Sequence, residues 1–212
     1  MARRRSADDT SQVSLRERKK ARVQASIQRE AMRLFAENGY ETTTIDEIAE
    51  AAEVSRATFF RYFPTKADLV LHDIADLMVI DALPQHLEEA TLVGALRNAI
   101  TSLIDTATPE QHTLNRQREE LLRSVPDLRA RVPGQIAAAL PLLTEALALR
   151  LNRSTEDIHL LTVSGAAIGV AIAAWNAAAN DLSEGFTQRH RQLLDDALAH
   201  LESGLSLRGT EG

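Results

Sequence analysis

Cysteine is missing from all 212 residues, so no disulfide framework and no thiol chemistry is open to this chain. Aromatic residues make up only 4%, with one Trp and two Tyr, and strand formers are thin beside abundant Ala and Leu. An all-α fold is expected. Long apolar runs are also lacking. The longest, Val163–Trp175, is Gly/Ala-rich and short of the roughly 20 residues that span a bilayer, so no membrane partner is expected. The Arg-rich start has no apolar run behind it and does not read as a secretory signal; with the missing cysteines this leads us to expect a cytoplasmic protein. There is no Gly-rich phosphate loop, no nucleophile elbow and no internal repeat. His72, His86, His112, His159, His190 and His200 show no metal-ligand spacing. We therefore expect no catalytic residue, no metal, no cofactor and no enzyme.

What is present is unevenly placed. The net charge is −6, yet residues 1–70 hold 13 Lys+Arg against 11 Asp+Glu, and the remainder holds 11 against 19. All three lysines, Lys19, Lys20 and Lys66, lie in the first part. A basic end on an acidic chain directs one face at a polyanion, which suggests nucleic acid. Residues 1–17 read as a flexible basic arm able to lie along phosphates or in a minor groove.

The segment Thr44–Lys66 is the most informative. Thr44 with Glu47 three residues on makes a capping box. Ile45, Ile48, Ala49 and Ala52 then recur as one apolar stripe. Ala52-Glu53-Val54 makes a turn, and Ser55 caps a second short helix. Phe59 and Phe63, four apart, share its buried face, which turns Arg56, Ala57, Phe60 and Arg61 elsewhere. Pro64 ends it, and Thr65 with Asp68 caps another helix. Upstream, Val23, Ile27, Ala31, Leu34 and Phe35 line a helix over Arg22–Asn38, closed by Gly39. This is the layout of a helix-turn-helix, whose second helix enters the DNA major groove. Arg56 and Arg61 are the base readers expected on chemical grounds, since Arg reaches guanine O6 and N7 in bidentate fashion; Ala57 is small enough to meet a thymine methyl.

Residues 18 to about 70, with LFAENGYETTTIDEIAEAAEVSRATFFRYFPTKADL, resemble the DNA-binding domain of the tetracycline-repressor (TetR) family in order, spacing and residue type. The resemblance implies a three-helix head over 18–68 and a larger helical effector-binding and dimerisation domain over 69–206. It also implies phosphate contacts by Thr44, Thr58, Tyr62 and Lys66, and a groove-facing surface of Arg56, Ala57, Phe60 and Arg61. The family often has Tyr where this chain has Phe60, which keeps apolar contact but donates no hydrogen bond.

The rest reads as helices. The fourth runs from Leu69 to about Leu83, before Pro84. Leu92, Ala95, Leu96, Ala99 and Leu103 mark another. Thr108-Pro109 and Pro126 each start one. Pro133-Gly134 is expected to interrupt the latter, and Pro141 to kink its continuation toward Leu151. Ser154 with Asp157 is expected to cap a long helix to about Asn180, and Ser183 to begin the last, ending near Ser203. The long helix carries Gly165, Gly169, Ala173 and Ala177 at successive i+4 positions, a row that lets another helix approach closely. By the resemblance, 155–203 form a homodimer surface, and two heads then read one palindromic double-stranded operator. The segment RQREELLRSVPDLRAR, Arg116–Arg131, with TFFRYFPTK, looks like a TetR branch that binds acyl-CoA-like ligands. This implies Arg116, Arg118 and Arg123 for an anionic head group, and Trp175 and Asn176 for the cavity lining. The expectation is a repressor released by a small hydrophobic or acyl-CoA-like effector. The alternative is a DNA-binding regulator or architectural protein with no effector.

Overall fold

The helix-turn-helix caps form as their chemistry requires. The computed structural model describes residues 5–76, 91–105, 108–181 and 186–204 and divides into two compact units, Met1–Val70 and Leu71–Gly212. Every regular element among the described residues is a helix.

The first unit is built from α1 (Arg5–Asn38), α2 (Ile45–Ala51), α3 (Arg56–Tyr62) and the start of α4 (Asp68–Asp76). Helix α1 begins at Arg5, not Arg22: no Gly or Pro stands before Gly39, so nothing breaks the helix over 5–38. It ends on Gly39 at φ 88°, whose amide bonds Phe35 O at 3.0 Å. The core is Ile27, Ala31, Met32, Phe35, Ile48, Phe59, Phe63 and Leu69, all within 3% of complete burial. Polar ties fix the joints: Gln28 Nε2 donates to Leu69 O at 3.1 Å, and the buried Thr43 hydroxyl donates to Gly39 O at 2.8 Å. The expected course of the fourth helix beyond Asp76, with Pro84, lies outside the described residues.

The second unit contains α5 (Leu92–Asp105), α6 (Pro109–Ser124), α7 (Pro126–Ala138), α8 (Leu140–Leu151), α9 (Ile158–Ala179) and α10 (Phe186–Glu202). Thr108 and Gln111 form a full capping box on α6. Three expectations are corrected. Pro133-Gly134 does not interrupt α7, which continues through both. Val132 and Ile136 on either side are buried, and this anchoring outweighs the one hydrogen bond a proline forfeits. The break falls at Ala139 instead, with Pro141 in the first turn of α8. Helix α9 is capped by Asp157, which accepts from His159 N at 2.9 Å, while Ser154 serves only the turn before it. Ser183 lies outside the described residues, and α10 is first seen at Phe186.

Helix α9 packs against α10, α7 and α8, burying Leu160, Ile168, Ala171, Ala174 and Trp175. It is 22 residues long and reaches a mean hydropathy of 1.8, and Pro126–Leu151 reaches 1.4. By length and composition both could cross a bilayer, contrary to the limit set by Val163–Trp175 alone; a core helix of a globular protein meets the same test. Between α5 and α10, Arg97 grips Asp195 with two bonds, 2.7 and 3.1 Å, and the guanidinium holds that carboxyl below its usual range.

Candidate nucleic-acid interface

The turn before the recognition helix is made by Glu53 at φ 54°, a left-handed conformation that non-glycine residues seldom adopt. It lets Val54 N bond Ala49 O at 2.9 Å and redirects the chain into α3. Ser55 then caps α3, accepting from Thr58 N at 3.0 Å. Phe59 and Phe63 are fully buried with rings 6.1 Å apart, which sets the rotation of the helix. Arg56, Ala57, Phe60 and Arg61 are consequently exposed on the other side, as the spacing predicts. Phe60 remains 40% accessible, a large apolar ring on open surface.

The polar candidates already have local partners. Arg56 Nη1 lies 3.0 Å from both carboxylate oxygens of Asp46, and its Cζ lies 5.7 Å from the Phe60 ring centre. Arg61 Cζ lies 5.3 Å from the half-buried Tyr62 ring. The Thr58 and Ser55 hydroxyls are 2.9 Å apart. The Thr44 amide and hydroxyl both donate to Glu47 Oε2, at 2.7 and 2.8 Å, and these bonds hold the Glu47 carboxyl below its usual range. A phosphate at Thr44 would compete with that carboxylate.

Lys66 has the most partners of these residues. Its ammonium donates to Tyr40 O at 2.6 Å, Thr43 O at 3.1 Å and Glu41 O at 3.3 Å, and lies 4.5 Å from the Tyr40 ring centre. An ammonium has three donors, so all are engaged on the turn between α1 and α2. Here Lys66 clamps that turn, and a phosphate at Lys66 would compete with those carbonyls.

The chain that carries this capped helix pair, anchored by two buried phenylalanines, matches known regulators over two stretches. Residues 27–72 match the family model "Bacterial regulatory proteins, tetR family", and residues 90–206, more than half of the chain, match "MftR C-terminal domain". The chain belongs to the TetR family. It is a DNA-binding transcriptional regulator of that family. The putative mycofactocin biosynthesis transcriptional regulator MftR of Mycobacterium tuberculosis is 28% identical over 160 residues, covering 74% of this chain and 80% of that one. The regulator TcmR of Streptomyces glaucescens is 48% identical, but over 61 residues that cover 29% of this chain and 27% of TcmR. Among solved structures, the TetR-family repressor FadR of Thermus thermophilus, in complex with lauroyl-CoA, aligns with TM-score 0.52 and 26% identity over 89% of this chain and 98% of that one.

In the MftR-type domain the five ligand candidates separate. Arg118 is buried, 5% exposed, with Nη1 3.0 Å from Asn115 Oδ1. Arg116 and Arg123 are exposed, and Arg123 pairs with Glu120. Trp175 is core, edge-on to Phe186 at 5.4 Å and to His190 at 5.7 Å, whereas its neighbour Asn176 faces outward. Residues one apart point about 100° apart on a helix, so the two do not share a lining. Sequence reasoning missed Asp46 and Tyr40. An acid in the first turn of a helix reads as dipole compensation, and nothing linear ties it to a residue ten positions on.

Proposed function

We propose that this protein is a homodimeric repressor that leaves a palindromic operator when a hydrophobic or acyl-CoA-like effector binds. The observation that carries the DNA half is the exposed quartet Arg56, Ala57, Phe60 and Arg61, turned out by the buried pair Phe59 and Phe63. Arg56 and Arg61 read bases, Ala57 and Phe60 make apolar contact in the groove, and Thr44, Thr58 and Tyr62 meet phosphates. Lys66 acts on these contacts indirectly, by fixing the turn that leads into Thr44.

Helices α9 and α10 form the dimer surface. In the row Gly165, Gly169, Ala173 and Ala177, the last three are exposed, and a Cβ added at either glycine meets nothing within 4 Å inside the chain. That row is open to a second copy. Two heads would then stand about 34–36 Å apart, one turn of DNA. The effector class is supported by the likeness to FadR, which holds lauroyl-CoA, and by Arg118, a buried cation suited to an anionic head group.

The test is selection of duplexes from a random pool, then mobility-shift titration of the selected operator with acyl-CoA thioesters of graded chain length. We expect a palindromic site and release by thioesters over one range of lengths, with coupling of about 1–3 kcal/mol, or roughly 5- to 150-fold in affinity. Tight binding with no release at any length would favour the effector-free regulator. No sequence preference would remove the recognition-helix assignment.

A further inference from the structure

Asp46 makes none of the DNA contacts set out above, yet it touches the residue on which they turn. It lies on α2, ten residues before Arg56, and both its carboxylate oxygens are 3.0 Å from Arg56 Nη1. The Phe60 ring, one turn further along α3, flanks the same guanidinium at 5.7 Å. The two side chains of the ion pair are 63% and 66% exposed, so the pair adds little to the stability of the fold. Its consequence is conformational. A surface arginine samples many rotamers and forfeits that freedom when it docks on a base edge. Here a carboxylate and an aromatic ring restrain one guanidinium together. The carboxylate engages Nη1 only, so the Nε–Nη2 edge keeps its donors for guanine O6 and N7.

We infer that Asp46 is a positioning residue for sequence discrimination: with Phe60 it holds the Arg56 guanidinium in its base-reading pose without itself touching DNA. The inference rests on the reading of α3 as the recognition helix. A carboxylate acting by charge alone would repel every duplex equally, and its removal would strengthen all binding by one factor. A carboxylate that positions Arg56 acts at the base pair Arg56 reads, and its removal lowers discrimination there alone.

The full chain, Asp46→Asn, Arg56→Ala and the double variant are titrated with the duplex that the wild type selects and with its single-base-pair variants. Asp46→Asn should lower discrimination about 2- to 10-fold, the freedom of one ordered side chain, at the position that Arg56→Ala also affects. The double variant should lose no more than Arg56→Ala alone. Equal strengthening on all duplexes, or additive losses, would overturn the inference. So would unchanged base preference in Arg56→Ala, which leaves the regulator reading intact; a wild type that selects no sequence overturns both. A second measurement needs no DNA. The Arg56 Nε–H in ¹⁵N relaxation should be more ordered in the wild type than in Asp46→Asn, and equal mobility would overturn the fixed pose.

Discussion

An ammonium offers three hydrogens, and at Lys66 each is directed at a main-chain carbonyl of residues 40–43. Those carbonyls lie in the turn between α1 and α2, outside the hydrogen-bond ladder of either helix. Lys66 is half-buried, so its bonds are shielded from water more than those of an exposed pair. Lys66→Met keeps an unbranched apolar side chain and removes the donors. It should lower stability by about 1–2 kcal/mol in denaturant titration. The slope of log K against log salt should stay unchanged on operator DNA; a fall of about 0.9 per head would restore Lys66 to the phosphate contacts. That lysine's position after Pro64 and Thr65 was legible in the sequence. Its partners were not, because they lie more than twenty residues upstream and are main-chain atoms that no side-chain pattern marks.

At the scale of elements, local signals worked where the deciding atoms are near in sequence. Thr44–Glu47, Ser55–Thr58 and Thr108–Gln111 are caps closed over three residues, and all three form. They failed where tertiary packing overrides a local rule: Pro133 remains inside α7, and Asp157 takes the capping role expected to begin at Ser154. Helix α9 shows the same division. Its hydrophobic content is legible, but the rotation that buries Trp175 and leaves Gly169, Ala173 and Ala177 exposed is set by α7, α8 and α10. Because Gly169 has open space inside the chain, Gly169→Leu should keep the helical circular-dichroism signal of the wild type. By obstructing close approach of a second copy it should shift the dimer toward monomer in micromolar sedimentation. An unchanged dimer would remove this row from the proposed seam.

For the whole molecule, charge sets a pH dependence. Burial lowers the affinity of the His190 imidazole for its proton, and its ring lies parallel to Phe186 at 6.0 Å, edge-on to Trp175. Its folded-state pKa is below the ordinary value of about 6.5, so the unfolded chain takes up the proton first as pH falls. The stability this gives is present above about 6.5 and declines as the pH drops through 6.5 toward the lowered folded value. Asp195, held down by Arg97, acts in a more acidic window: its contribution is present above about 3.9 and declines below that toward its own depressed folded value. Melting temperature should therefore fall in two stages between about pH 7.5 and pH 3. His190→Phe should flatten the upper stage and leave the lower one. Equal upper slopes in both proteins would rule out His190 as its source.

The sequence by itself determined the helical class, the caps of α2 and α3, the aromatic pair that rotates α3, and the family to which the chain belongs. These depend on period, on side-chain chemistry and on partners within one or two turns. Only the tertiary structure decided that Lys66 clamps a turn, that Arg118 alone of three candidate arginines is buried, and that Asp46 grips Arg56. Each of those depends on where helices distant in sequence come to lie, and a hydrogen bond is decided within a few tenths of an ångström, far finer than any pattern of residue types can specify.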